Sequence, residues 1–293
     1  MDITDLEIIK ILLRNSRTPY RIIGQNLGLT VNAIHKRVQK MCEMGVIRKY
    51  TATPNLAHLQ GKHVLIAGTS KAKSLVKINE RFRDQTSIFF IGVSGAKHLH
   101  IDCELQKNQE INEFVEYVKE KAEIEDPFVG IIQSEKIDTP EIFTNNEKLI
   151  LKALQKDGHK SSIEIADEIE LSSKTISKSI KKFQDKKMVD FSINWAPDSE
   201  KDLIGNFEIY LNKEQNPNDE IYRLLDLYPN IVYFQVFSNV RNIIMITTWF
   251  DTSKKMQAFF QELESQEFDE VILRIIYNGF FFETWRTRFI ENL

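Results

Sequence analysis

Apolar residues in the first sixty positions return every three to four places between turn residues, a spacing that predicts three helices and then a strand. Thr4-Asp5-Leu6-Glu7 reads as a capping box, in which the Thr and Glu side chains satisfy free amides at a helix start. Ile8, Ile9, Ile11, Leu12 and Leu13 supply the apolar face behind it. A second helix opens at Thr18-Pro19, with Pro at the first helical position, where its missing N–H costs nothing. It buries Ile22, Ile23 and Leu27 and stops at Gly28. Thr30 caps a third helix on which Ile34, Val38 and Met41 share one stripe, and Gly45 ends it. Residues 46–50 then read as a strand, the start of a wing.

The same grammar returns near residue 144. Thr144-Asn145-Asn146-Glu147 and Ser161-Ser162-Ile163-Glu164 are two more capping boxes. Leu149, Ile150 and Leu154 face the core of the first helix, which Gly158 is expected to stop. Ile165, Ala166 and Ile169 face that of the second. Leu171-Ser172 corresponds to Leu29-Thr30. Ile176, Ile180 and Phe183 correspond to Ile34, Val38 and Met41, and Met188-Val189 to Val46-Ile47, all at an offset of 142 residues. A constant offset over so many apolar positions points to an internal duplication.

Each three-helix segment is followed by a segment of alternating and helical periods. The first predicts strand 63–68, helix 74–83, strand 88–93, strand 98–105, helix 110–122 and strand 128–134. The second predicts strand 207–211, helix 220–227, strand 231–237, strand 242–249, helix 254–263 and strand 271–277. Both have the order of a ferredoxin-like split βαβ. The expected fold class is α+β, with two winged helix-turn-helix domains (1–60 and 141–204) alternating with two ferredoxin-like βαββαβ domains (61–140 and 205–293). Two helices cover only one face of such a sheet, so the other face is expected to pack against the second copy.

Charge is segregated along this division. Residues 1–60 carry nine Lys/Arg against four Asp/Glu, a net +5, and residues 141–197 are at +1. Residues 61–140 are at −2 and residues 198–293 at −7, which together give the chain's −3. Basic modules facing phosphate beside acidic ones that keep the chain soluble fit this distribution. Composition, at 42% hydrophobic and 28% charged, is that of an ordinary globular protein. No run approaches the ~18 uncharged apolar residues of a membrane span. The acidic first residues lack the form of a signal peptide, so a cytoplasmic location is expected. Cys42 and Cys103 have no CxxC partners and are both expected to be buried small apolar residues.

With these elements in place, the chain resembles the Lrp/AsnC, or feast/famine, family of prokaryotic regulators, twice over. Leu29-Thr30 through Arg37-Val38 to Gly45-Val46-Ile47 is similar to the family's recognition-helix signature. Members usually carry one copy and dimerise through their βαββαβ sheets, so the resemblance implies a covalent pseudo-dimer that regulates transcription on double-stranded DNA. It also implies a small-molecule effector at the βαββαβ seam and self-association into a homodimer. Departures accompany it. The turns Gly95-Ala96-Lys97-His98 and Asn239-Val240-Arg241-Asn242 both lack the Asp of the family's Gly-x-x-Asp, Ser179 stands at the place of Arg37, and Lys187 at that of Gly45.

Two recognition helices are expected, at 30–44 and 172–187. Burial of Ile34, Val38 and Met41 turns Val31, Asn32, His35 and Lys36 toward base edges, Asn being suited to adenine and Lys to guanine. Arg37, Lys40, Arg48 and Lys49 are candidates for phosphate. On the second helix, Ser173, Lys174, Ser177, Lys178, Lys181 and Lys182 suit phosphate more than base readout. The competing explanation for all of these is an ordinary solvated face, with Arg37 bracing the fold through an ion pair.

Other constellations carry less. His98, His100 and Asp102 alternate on one strand and share a face, where three donors could hold a metal. The second copy has Asn242, Ile244 and Ile246 there, and a polar patch at the sheet seam is the simpler reading. Gly92-Val93-Ser94-Gly95 lacks the spacing and the following helix of a nucleophile elbow. The aromatic run 280–285 is read as closing a core. No cofactor, metal or catalytic residue is assigned, and the chain is expected not to be an enzyme. The alternatives are a tetrapyrrole decarboxylase of haem biosynthesis, a class that uses the same module pair, and an architectural DNA-binding protein of low specificity. Residues 198–293 hold five Arg and no His, which speaks against the enzyme.

Overall fold

The computed structural model describes residues 1–134, 137, 140–196 and 202–291. In chain order, the first half runs α1 (Ile3–Arg14), α2 (Tyr20–Leu27), α3 (Val31–Glu43), β1 (Ile47–Pro54), β2 (Lys62–Thr69), α4 (Ile78–Arg81), β3 (Ile88–Ser94), β4 (His98–Leu105), α5 (Ile111–Ala122) and β5 (Phe128–Ile131). The second half runs α6 (Asn145–Lys156), α7 (Ser162–Ile169), α8 (Ser173–Asp185), β6 (Val189–Trp195), β7 (Leu203–Tyr210), α9 (Pro217–Leu227), β8 (Ile231–Val236), β9 (Ile243–Phe250), α10 (Ser253–Glu264), β10 (Glu270–Phe281) and α11 (Trp285–Glu291). The protein is α+β and divides into two compact units, each drawn from both halves of the chain.

One unit joins residues 1–59, 137–198 and 285–293. The expected caps form at Thr30, Thr144, Ser161 and Ser172, each side chain accepting from a backbone N–H in the first turn. At the first helix the cap moves. Asp2 rather than Thr4 is the N-cap, in a reciprocal box with Asp5, because Asp2 accepts as well as Thr and adds charge at the positive helix end. Pro19 is the N-cap of α2 rather than its first residue. Gly28 and Gly45 take the left-handed conformation that ends α2 and follows α3.

The strands β1 and β6 pair with each other, antiparallel. Exchanging positions 142 residues apart turns the pair Lys49–Asn194 into Ala52–Phe191, and Tyr50–Ile193 into Thr51–Ser192, both of which occur. The flanks are nearly reciprocal, with the acceptor displaced by one residue. The Ser16 N–H donates to Phe191 O at 2.9 Å, and the Gly158 N–H to Tyr50 O at 3.0 Å. α1 thus packs against β6, and α6 against β1. Gly158 has another role than the expected helix stop, which Asp157 performs. A Cβ there would lie 2.4 Å from the Thr51 carbonyl carbon, so the close approach of the two chain segments requires glycine.

The other unit joins residues 60–136 and 199–284 around one eight-stranded sheet of order β5-β2-β4-β3-β10-β7-β9-β8. Within it, each set of four has the ferredoxin-like order. The expectation of two separate sheets packed face to face is modified here. β10 is twelve residues long, pairing with β7 over its first part and β3 over its last. At the opposite edges Ile132 bridges Phe237, Gln133 N–H donates to Val236 O, and Ser238 N–H donates to Ile131 O, both at 2.8 Å. The Asn239 side chain seals this seam, accepting from Ile131 N–H and donating to Val129 O. These contacts join the two ends of the sheet at one point.

Alternation then decides what faces inward. Val64, Ile66, Leu99, Ile101 and Cys103 pack in one helix-side core, and Phe207, Ile209, Ile244 and Ile246 in the other. Leu65, Ala67, Ile243, Met245 and Phe237 form a smaller apolar cluster on the opposite face. The helix expected at 74–83 is reduced to the single turn α4, since Ser74 and Val76 are exposed and only Leu75, Ile78 and Phe82 reach the core. Of the aromatic run expected to close a core, Phe280 and Phe282 pack on that same core, while Phe281 between them is exposed because alternation turns it to the other face. Cys103 is buried, but Cys42 is exposed, lying off the stripe formed by Ile34, Val38 and Met41.

Candidate nucleic-acid interface and a buried polar cluster

On α3 the stripe of Ile34, Val38 and Met41 is buried, which leaves Val31, Asn32, His35, Lys36 and Lys40 exposed. Arg48 and Lys49 are exposed on β1. Arg37 differs. Its Nη1 donates to Asp2 at 2.8 Å and to Asp5 at 2.6 Å, tying α3 to the first turn of α1. These carboxylates hold the guanidinium above its ordinary pKa. The bracing role weighed against phosphate contact is the geometry found. An open cleft of about 550 Å³ beside this tie is lined by Asp2, Asp5, Lys36, Arg37 and Lys40, among others.

The second helix repeats the arrangement with different residues. Ile176, Ile180 and Phe183 are buried, and Ser173, Lys174, Ser177, Lys178 and Lys181 are exposed. Lys182 reaches Glu147 at 2.9 Å and Glu141 at 3.0 Å. Glu147, like Asp5, is the third residue of a first helix. Each three-helix segment thus ties its third helix to its first, by Arg37 in one and by Lys182, which lies 142 residues after Lys40, in the other. Burial works against ionisation of Glu147, yet the Thr144 N–H and Lys182 outweigh it and hold the carboxyl below its usual range.

A second constellation lies in the sheet unit. His98 and His100 project from β4 to the face opposite Leu99 and Ile101, and Glu208 projects from β7. All three are buried, at 6%, 2% and 5% exposure. Glu208 Oε1 stands 3.7 Å from His98 Nε2 and 3.6 Å from His100 Nε2. Arg274, from β10, donates its Nε to the same oxygen at 2.5 Å. Burial drives His98 down to about 4, with His100 and Arg274 adding repulsion. Burial opposes ionisation of Glu208, but His100 and Arg274 bring it to about 2. Asp102, read with the two histidines in the sequence, goes elsewhere: it faces His63 Nε2 at 3.2 Å and accepts from Gln235 at 2.9 Å. Glu208 takes its place. Nothing in the sequence marked Glu208 or Arg274 as partners of this pair, because they lie over a hundred residues from His100 and meet it only through the strand order.

Comparison with known proteins separates the two constellations. The family model for winged helix-turn-helix DNA-binding matches residues 1–48 and again 143–189. These two segments are similar to winged helix-turn-helix DNA-binding domains. An HTH-type transcriptional regulator of Pyrococcus furiosus, itself uncharacterized, is 29% identical over 139 residues, which are 45% of this chain and 94% of that protein. The HTH-type transcriptional regulator LysM of Sulfurisphaera tokodaii is 43% identical over 51 residues, 17% of this chain and 36% of LysM. No helix among the described residues of this chain is long and apolar enough to cross a membrane.

One expectation falls. The solved structure of the siroheme decarboxylase NirDL matches 99% of this chain and 98% of its own, with a TM-score of 0.62 and 14% identity. At that identity the likeness is one of fold. A fold shared over the full length with an enzyme nevertheless overturns the expectation that the chain is not one. The absence of His from residues 198–293 does not speak against an enzyme after all, since the cluster in the sheet unit takes its histidines from one half of the chain and its Glu and Arg from the other.

Proposed function

We propose that the chain regulates transcription as an Lrp/AsnC-type covalent pseudo-dimer, with residues 30–44 and 172–187 entering major grooves of double-stranded DNA. The observation that carries this reading is the pairing of a buried stripe with an exposed polar and cationic face on both α3 and α8, inside the two segments matched by the DNA-binding family. Asn32, His35 and Lys36, near the N-terminus of α3, reach base edges, and Val31 offers an apolar contact. Lys40, Arg48 and Lys49 meet phosphate, as do Ser173, Lys174, Ser177, Lys178 and Lys181. The first helix reads sequence and the second grips. Two unlike helices favour an asymmetric site, and association of two chains would restore twofold symmetry. Selection of bound fragments from the genome tests the reading. A recovered motif supports it, binding without a motif indicates an architectural role, and no binding in low salt overturns it.

A second reading is favoured by a specific observation, the buried His98, His100, Glu208 and Arg274 in a unit whose fold is shared with NirDL. NirDL is a siroheme decarboxylase, and here the two imidazoles would move protons beside the Glu208–Arg274 pair. Incubation with siroheme, followed by mass spectrometry for loss of carbon dioxide, distinguishes this reading, and an unchanged mass rejects it.

A further inference from the structure

We propose that His98, His100 and Glu208 bind a divalent transition-metal ion of the Zn²⁺ or Fe²⁺ class inside the sheet unit. The donor set comes first. Two imidazoles and one carboxylate suit borderline cations, and all three ligating atoms lie within 4.8 Å of one another. The spacing follows. At 3.6 and 3.7 Å, the Glu208 oxygen is too far from either Nε2 for a hydrogen bond. Metal bonds of about 2.0–2.2 Å would place two tetrahedral ligands roughly 3.4 Å apart, so the two Glu208–His distances close with a shift of a few tenths of an ångström, and the two imidazole nitrogens, within 4.8 Å of each other, draw together as the ion binds.

Burial adds a second, independent observation. His98 Nε2 and both ring nitrogens of His100 are buried without a hydrogen-bond partner. A buried polar group left unsatisfied keeps the full penalty of its desolvation, and a shared cation satisfies both Nε2 atoms at once. Strand alternation aims them together, since positions 98 and 100 are two apart on β4.

The surroundings hold the donors in place. The Thr69 hydroxyl lies 3.4 Å from His98 Nδ1 and leaves Nε2 to face Glu208. Arg274 donates to Glu208 Oε1 at 2.5 Å and lies 3.4 Å from Oε2, so Oε1 would keep this outer-shell partner on one lone pair while the other binds metal. Three protein ligands leave a coordination position open. With Arg274 adjacent, that position favours an anion or a water that has lost its proton.

The test uses the full chain, stripped with a chelator and titrated with Zn²⁺ by calorimetry and with Co²⁺ by visible absorption. The expected result is one equivalent bound per chain, a raised Tm on Zn²⁺ binding, and Co²⁺ ligand-field bands. His100→Gln and Glu208→Gln abolish all three, while Asp102→Asn, whose partners are His63 and Gln235, retains them. Because Glu208→Gln also releases Arg274 and can unfold the unit, His100→Gln decides: its ring makes no hydrogen bond to protein. Absence of binding by the unaltered chain overturns the proposal, and so does unchanged binding by His100→Gln. Neither outcome bears on DNA affinity.

Discussion

Arg37 donates from Nη1 to Asp5 Oδ1 at 2.6 Å, so a basic residue of α3 is held along the surface against α1. Its neighbour Lys36 is exposed and has no ion pair among the described residues. Two adjacent cations therefore have separable roles. Lys36→Ala is expected to weaken duplex binding and leave the urea midpoint unchanged. Arg37→Ala is expected to cost at most about 1 kcal/mol of stability, as partly exposed ion pairs do. Equal loss of DNA affinity in both variants, with no loss of stability in the second, would refute the division.

The same logic separates the lysines of α8. Lys178 and Lys181 are exposed, while Lys182 is held by Glu147 and Glu141. Removing one cation that meets phosphate lowers the dependence of log affinity on log salt by about 0.9. The double variant Lys178→Ala, Lys181→Ala is expected to flatten that slope by roughly two units on this rule, and Lys182→Ala to leave it in place. Anisotropy titrations across a salt series measure both, and an unmoved slope in the double variant removes α8 from the interface.

Glu147 gives stability a pH dependence of known sign. Its pKa in the folded chain is below the ordinary 4.5. Its contribution is therefore complete above that value and is lost as pH falls through the folded value. Glu147→Gln keeps an acceptor for the Thr144 N–H but loses the charge that pairs with Lys182. Between about pH 6 and about pH 3 the urea midpoint is expected to fall less in Glu147→Gln than in the unaltered chain. A parallel fall in both would show that this carboxylate is not responsible.

Gly158 reports on the pairing of the two wings. An added Cβ would lie 2.4 and 2.5 Å from the Thr51 carbonyl carbon and oxygen, and 2.9 Å from Ala52 N, all backbone atoms that cannot swing aside. Gly158→Ala is expected to destabilise the chain by about 1–3 kcal/mol, the usual cost of overpacking. Gly95→Ala, with nothing within 4 Å of the added carbon, is the control. Equal urea midpoints for the two variants would contradict the close approach.

Much of the fold was written locally. The buried stripes of α3 and α8, the caps at Thr30, Thr144, Ser161 and Ser172, and the bounds of β4 follow from spacing and from hydrogen bonds closed within one turn, which a sequence displays directly. The exposed faces of the recognition helices follow too, as the complement of those stripes. What tertiary structure decided concerns partners distant along the chain. Whether Arg37 points outward depends on how α1 lies against α3, and the local pattern is the same either way. The need for glycine at 158 arises from Thr51, more than a hundred residues earlier. His98 and His100 were visible as a pair, but Glu208 and Arg274 reach them only because β10 bridges β7 and β3. Strand order is set by long-range pairing and the burial it permits, and a single strand's alternation contains no information about which strand will face it.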